Sequence, residues 1–388
     1  MLVHKTKKIV SCNDFELGIK RDTSLEYRVS YPSAEKAKAI VFIIPGFGAD
    51  TNSDYMDKLR EYVANTFSVV AVNVFYHCFY SRPENGATLA FDDLDIYYLK
   101  KVIEEFNIDF SDVEEINKES VLKKLHSLNR DITISMTLIP KNDEYQNFGL
   151  MQAVDHLNVL KDLHKTLEGS QNLPVVCFGS SHGGYIAHIM AKIAPATISH
   201  VVDNSSYVKA PLQYVVGKES DVNTPEFFLH EGKLRVHCFV QSYWTTDSSS
   251  PYYFSQDRSL MRDISNLQHI KVCAKDVKNK TNYSIYHSVE DSIAPVEDKK
   301  LLCKNLEESG YSVAFHLFSK MEEIDGKLIK NLQHGMSMSI KELIKRELPQ
   351  ILEKSMCSMG EKHSVEYLCD TVTYAFDFTK NLYECRVV

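Results

Sequence analysis

The chain has 388 residues, 44% of them hydrophobic and 25% charged, with a formal net charge of −8. That length holds one large domain with insertions, or two smaller ones, and the composition is that of an ordinary soluble globular protein. The charge is spread along the chain, which argues against a nucleic-acid partner, because such partners select clustered Lys and Arg.

The N-terminal stretch MLVHKTKKIVSCNDF has charge but lacks the apolar core of a signal peptide. The longest apolar run, residues 39–44, is far too short to span a bilayer. Nine cysteines, an odd number, are scattered without CxxC or other metal-like spacing. The reading is a reduced, cytoplasmic protein without a disulfide framework, metal or cofactor, and without a membrane span. The basic run from His4 to Lys8 reads as a solvated lead-in to the first strand.

Three strands are expected first, over residues 9–19, 25–31 and 37–44, with polar turns between them. The third, AIVFII, is apolar throughout, as in a strand buried on both faces, and runs into Pro45-Gly46-Phe47-Gly48. A helix follows over residues 53–65, with Tyr55, Leu59 and Val63 on one face, then a buried strand over residues 67–75. Residues 76–147 read as an insertion with its own periodic apolar faces. It holds a helix over 91–106, a second helix announced by the capping box at Ser111-Asp112-Val113-Glu114, and alternation from Ile132 to Leu138.

The framework resumes at Phe148, with a helical stripe of Leu150, Leu157, Leu160 and Leu167 stopped by Gly169. Residues 174–179 form a short buried strand, 185–194 a helix and 199–203 another strand. A second irregular block, residues 207–281, holds the single tryptophan and many tyrosines. Strand 283–288, helix 296–309, strand 312–318 and helix 337–354 follow, and residues 364–388 suggest a terminal hairpin. Strands alternating with helices imply a mostly parallel sheet with helices on both faces, whose ligand sits at the carboxyl ends of the strands.

Gly179-Ser180-Ser181-His182-Gly183 fits G-x-S-x-G between a strand and a helix, the context that motif requires. A sharp strand-to-helix turn needs very small residues two before and two after the nucleophile, and the glycines select Ser181 over Ser180. The turn also sets Ser181 at a helix N-terminus, which favours developing negative charge. A serine hydroxyl needs a histidine to take its proton and a carboxylate to orient that histidine, here in the order Ser, acid, His.

Asp291, on the loop His287-Ser288-Val289-Glu290-Asp291 after a strand, is the expected acid. Glu290 and Asp203 are rivals, and an N-cap role for Asp291 is the plainer alternative. His334, in Gln333-His334-Gly335-Met336 after the last main strand, is the expected base. The oxyanion needs two N–H donors, expected from His182 and from Phe47 in the glycine-rich turn after the third strand.

PGFG, GSSHGG, HSVEDSIAP and QHGMS, in this order, resemble the four signatures of the α/β-hydrolase superfamily. The resemblance covers residues 9–75, 148–206 and 282–355. It implies an α/β fold with an eight-stranded, mostly parallel hydrolase sheet and two cap insertions, with Ser181, Asp291 and His334 as triad and Phe47 and His182 at the oxyanion. Pro45 departs from the histidine many members carry before the oxyanion glycine. The chain as a whole is similar to bacterial hydrolase-like proteins, which supplies no substrate.

The insertions at 76–147 and 207–281 follow strands, so they are expected to cap Ser181. His77, Tyr80 and Arg82 follow a strand's carboxyl end, and Trp244 lies among the aromatics of the second insertion. His77, Tyr80 and Trp244 are the expected substrate contacts, each with a structural role as the alternative. The first reading is an esterase acting on an acyl or acetyl group of a small molecule or carbohydrate, or an acyltransferase using the same intermediate. An oligopeptidase-type serine peptidase shares the triad, although the N-terminal region is too short for a propeller. A non-catalytic binding protein on the same fold is the reading from another class.

Overall fold

The computed structural model describes residues 2–32, 37–47, 54–110, 117–275, 277–354, 364–377 and 383–388. Among these the strands are β1 (Val3–Val10), β2 (Ser24–Tyr31), β3 (Ile40–Ile44), β4 (Val70–Phe75), β5 (Thr88–Ala90), β6 (Ile132–Ile139), β7 (Val175–Ser180) and β8 (His200–Asn204). They continue with β9 (Phe227–Glu231), β10 (Leu234–Val240), β11 (Asn282–Ser288), β12 (Ser312–Phe318), β13 (Ser364–Cys369), β14 (Val372–Asp377) and β15 (Glu384–Val387). The helices are α1 (Asp54–Phe67), α2 (Asp93–Glu105), α3 (Lys118–Ser127), α4 (Leu150–Thr166), α5 (His182–Ile193), α6 (Leu212–Val215), α7 (Gln256–Arg262), α8 (Leu267–Ala274), α9 (Val296–Glu308) and α10 (Ile340–Glu353).

The chain divides into two units. The first, Met1–Tyr76 with Gly149–Ala210 and Gln256–Val388, contains a sheet of eight strands in the order β1-β2-β4-β3-β7-β8-β11-β12. Strand β2 runs antiparallel to β1 and β4, and the pairs from β4 to β12 are parallel. This is the α/β-hydrolase fold. Alternation along each strand sends side chains to opposite faces. Val41, Ile43, Ala71, Val176 and Phe178 pack with Leu59 and Val63 of α1 and with Leu343, Ile344 and Leu348 of α10. On the opposite face Phe42 meets His156 of α4 edge-on, with ring centroids 5.7 Å apart. Helix α5 packs against β7 and β8 and against α4.

The second unit, His77–Phe148 with Pro211–Ser255, has its own four-stranded sheet in the order β5-β6-β10-β9, crossed by α2. Lys218 binds Asp92 and Asp95 at 2.9 and 2.5 Å, fixing the start of α2 to this sheet through Thr137. The expected insertions at 76–147 and 207–281 therefore build one unit between them. The second ends at Ser255, because residues 256–274 form α7 and α8 in the first unit.

Two further expectations need correction. The first strand is not residues 9–19 but the basic run itself, Val3–Val10. It is an edge strand with solvent on most of its side chains, so it carries no apolar alternation. Residues 14–17 instead form a turn in which the Asp14 carboxylate accepts the N–H groups of Glu16 and Leu17. The C-terminal hairpin is a three-stranded antiparallel sheet, β13-β14-β15. It is anchored to α5 by the hydroxyls of Tyr367 and Tyr383, which donate to the carbonyls of Lys192 and Ile193. The capping box at 111–114 and Gly48 lie outside the described residues; α3 begins later, capped by the Asn117 side chain.

Candidate active site

Strand β7 ends at Ser180 and α5 begins at His182, so one residue makes the whole turn. That residue, Ser181, has φ of 52° and ψ of −119°, a left-handed conformation a side chain adopts only under external constraint. The constraint is visible at the flanking glycines. A Cβ on Gly179 would sit 2.4 Å from the Gly183 carbonyl oxygen. One on Gly183 would sit 2.2 Å from the Ile44 oxygen and 2.4 Å from the Pro45 oxygen. The elbow is thus pressed between its own helix and the loop that leaves β3. Gly46 of that loop lies against Ser181, its Cβ position 3.3 Å from Ser181 Cβ.

The histidine comes from a turn after β12. Residues 334–337 wind through three left-handed positions, Gly335, Met336 and Ser337, with φ of 73°, 53° and 40°. Met336 anchors this turn by burying its side chain in the core under α10, while its carbonyl accepts the N–H of Lys330 at 3.1 Å. Above that anchor His334 stays partly open, with 17% of its side chain exposed.

The acid comes from the loop after β11. Asp291 Oδ1 accepts the N–H groups of Ile293 and Ala294 at 3.0 and 2.8 Å, curling the loop around the carboxylate. Helix α9 begins only at Val296, so Asp291 is not its N-cap. The buried His287 ring closes the same loop by donating from Nε2 to the Ala294 carbonyl at 2.9 Å.

These three turns converge. Ser181 Oγ lies 2.7 Å from His334 Nε2, and His334 Nδ1 lies 3.0 and 2.9 Å from the two oxygens of Asp291. An ionised carboxylate only accepts hydrogen bonds, so Nδ1 carries the hydrogen and Nε2 presents its lone pair to the serine hydroxyl. Burial by itself would raise the Asp291 carboxyl, but the bonds from His334 and from the Ala294 and Ile293 N–H groups hold it below its ordinary value. It is therefore ionised at neutral pH.

The rival acids lie elsewhere. Asp203 is fully buried and takes up Lys299 at 2.8 Å, His188 at 3.0 Å and the N–H of Ser206 at 2.9 Å. Glu290 is exposed. His182 is buried against the rings of Phe47 and Tyr185, and burial lowers it to about 3, so it stays neutral. The Phe47 ring meets His182 edge-on at 5.7 Å, which ties the β3 loop to the first residue of α5.

The expected substrate contacts fall in the second unit. His77 and Trp244 are both 2% exposed and surround Tyr145, with ring centroids 5.1 and 6.2 Å from it. They pack beside Tyr145 inside that unit and present almost no surface. Tyr80 stays partly open, its ring beneath the Lys141 ammonium at 5.2 Å. The Arg82 guanidinium lies over Phe227 at 5.2 Å and donates to the Glu226 carbonyl at 3.2 Å.

Beside Ser181, His334 and Asp291 stand Tyr207, one of the aromatics of the expected second insertion, and Asn204, which the sequence did not single out. Tyr207 is 5% exposed and stacks on His334 with centroids 5.9 Å apart and planes 27° from parallel. Asn204 binds both the elbow and the histidine turn. The available signal was their place at the carboxyl end of a strand, where such folds keep their chemistry. A cavity of about 900 Å³ opens elsewhere in the first unit, lined by residues 8–15, 20–24 and 383–385; none of Ser181, Asp291 and His334 lines it. No helix among the described residues is long and apolar enough to cross a membrane.

A family model described as "Protein of unknown function (DUF2920)" matches residues 5–387. No curated protein matches the sequence significantly. Similar solved structures include an acylaminoacyl peptidase of Pyrococcus horikoshii, 14% identical, covering 93% of this chain and 43% of that one, with a TM-score of 0.49. Others are a puromycin-hydrolyzing peptidase of Mycobacterium tuberculosis (10% identity, 89% and 39% coverage, TM-score 0.45) and an esterase of Thermogutta terrifontis (12% identity, 88% and 93% coverage, TM-score 0.41). The chain spans 36% to 43% of the length of the peptidases it matches.

Proposed function

The chain belongs to the DUF2920 family of proteins of unknown function, and we propose that it is a serine hydrolase that cleaves carboxylic esters through an acyl-enzyme. The observation that carries this reading is the unbroken relay from Ser181 Oγ through His334 to Asp291. In this mechanism the Ser181 oxygen attacks the ester carbonyl while its proton passes to His334 Nε2. The Asp291 carboxylate stabilises the imidazolium that forms. The tetrahedral oxyanion sits against the N–H groups of Phe47 and His182, beside the positive end of α5. Collapse of the intermediate breaks the bond to the alcohol, which leaves with the proton held on His334. Water, deprotonated by the same nitrogen, then attacks the acyl-serine and releases the acid.

The substrate in this reading is an acyl or acetyl group on a small molecule or carbohydrate. An acyltransferase differs only in the last step, where another hydroxyl replaces water. Hydrolysis of p-nitrophenyl acetate, with a peptide anilide in parallel, tests the proposal. Turnover of the ester that falls at least a thousandfold in His334→Ala is the expected result. An unchanged rate in that variant contradicts the mechanism, and preferential cleavage of the anilide contradicts the esterase reading in favour of a peptidase. Product analysis with added alcohols detects transfer.

A further inference from the structure

Two of the turns that carry the proposed triad, the nucleophile elbow and the histidine turn, are joined by one buried side chain. Asn204 ends β8 and is 2% exposed. Its backbone carbonyl accepts the N–H of Ser181 at 2.7 Å. Its side-chain Nδ2 donates to Ser180 Oγ at 3.0 Å and to the Gly335 carbonyl at 3.2 Å, and its Oδ1 accepts from Ser205 Oγ at 3.1 Å. The two Nδ2 bonds reach residues 24 positions before and 131 positions after it. Ser181, Ser205 and Gly335 all have positive φ, of 52°, 55° and 73°. Turns held in such conformations persist only where their surroundings over-determine them.

We infer that Asn204 is a positioning residue for the reaction, setting the distance between the nucleophile elbow and the turn that carries the base. The inference rests on the triad of the proposed function. Asn suits the place because one amide nitrogen carries two hydrogens, each of which satisfies one of the two acceptors. An ionised Asp of the same shape donates to neither and sets negative charge beside the Gly335 carbonyl, next to His334. An Ala leaves both acceptors without their donor.

The base of the turn is itself fixed. Asp203, one residue earlier, is tied to Lys299, His188 and Ser206, and the Ser205 N–H is held by the Tyr286 carbonyl at 2.9 Å. The amide of Asn204 thus reaches from a rigid strand end to the two turns whose spacing decides the Ser181–His334 contact. A displacement of about 1 Å in such a contact costs on the order of a hundredfold in rate.

The experiment measures inactivation by an alkyl fluorophosphonate, resolved into the maximal rate kinact and the half-saturation constant KI. It uses wild type, Asn204→Asp, Asn204→Ala and Asn305→Ala, with Tm for each. Asn305 is a buried amide of α9 making the same kind of bond, to the Ser265 carbonyl at 2.7 Å, and serves as the structural control. The expected result is a fall of about ten- to hundredfold in kinact with KI unchanged for both Asn204 variants. Asn305→Ala lowers Tm without lowering kinact.

Wild-type kinact in folded Asn204 variants overturns the inference, as does an equal loss in Asn305→Ala. If the Asn204 variants do not fold, Ser180→Ala removes one acceptor while sparing the other. It is expected to lower kinact at unchanged Tm, and wild-type kinact in that variant overturns the inference instead. Failure of wild type to label at Ser181 is a separate outcome that removes the triad reading and the inference with it.

Discussion

Replacing Gly183 by Ala tests the elbow at the point where its geometry is tightest. The added Cβ would stand 2.2 Å from the Ile44 carbonyl oxygen and 2.4 Å from that of Pro45. Close carbon–oxygen contacts settle near 3.3 Å, so helix and loop must separate by about 1 Å. Both contacts are backbone, and no flexible side chain can yield instead. The oxygens belong to the end of β3 and to the loop carrying Phe47, so the retreat opens the site where an oxyanion would sit. Overpacking of this kind destabilises by about 1–3 kcal/mol. A 1 Å displacement at the reacting centre costs on the order of a hundredfold in rate. Second-order inactivation by a fluorophosphonate, measured below the Tm of each protein, reads this directly. The expectation is a lower Tm and a labelling rate about a hundredfold below wild type. Labelling of Gly183→Ala at the wild-type rate would mean that the glycine spacing does not shape the site.

Gly335→Ala is the complementary case. A Cβ there meets nothing within 4 Å, but φ is 73°, so a cost of about 1–2 kcal/mol in stability with a folded protein is expected in thermal unfolding. Asp291→Asn is expected to fold and to lose roughly a thousandfold or more in kcat, because an amide no longer selects the Nδ1–H tautomer of His334; ester turnover checks it. Glu226, in the second unit, provides a pH test. Burial pushes its carboxyl up to about 8 from an ordinary 4.5, against the opposing pull of Arg82 and of the Val240 N–H. The folded state therefore keeps a proton that the unfolded chain has released, so the stability tied to this proton is complete below pH 4.5 and drains away as pH rises through 8. Glu226→Gln is expected to melt close to wild type at pH 5 and several degrees above it at pH 9. Parallel melting curves across that range would contradict the buried-carboxyl account.

The framework was legible where sequence and burial agree. Strand β3 is apolar because both of its faces are covered, and the stripe of α4 ends at Thr166, three residues before the expected stop at Gly169. The candidate triad was legible because each member follows a strand and the glycines around Ser181 are required sterically. Strand β1 was not, since a solvated edge strand of Lys, His and Thr has no apolar period to read. Nor were α7 and α8, two short helices inside a block whose aromatics dominated the pattern. Trp244 meets Tyr145 and Phe254, and composition cannot tell a ring that packs a core from one that faces a ligand. Asn204 shows the remaining limit. Its partners lie at positions 180 and 335, and an Asn after a strand looks the same whether it closes a turn or joins two of them.

In the proposed mechanism Ser181 is the nucleophile of an acyl-transferring triad. Intact-mass and peptide mass spectrometry after treatment with a fluorophosphonate address it most directly. The expected result is a single stoichiometric adduct on the peptide containing Ser181, absent in Ser181→Ala and strongly slowed in His334→Ala. A folded wild-type protein that takes up no adduct, or Ser181→Ala labelled as fast as wild type, would contradict it.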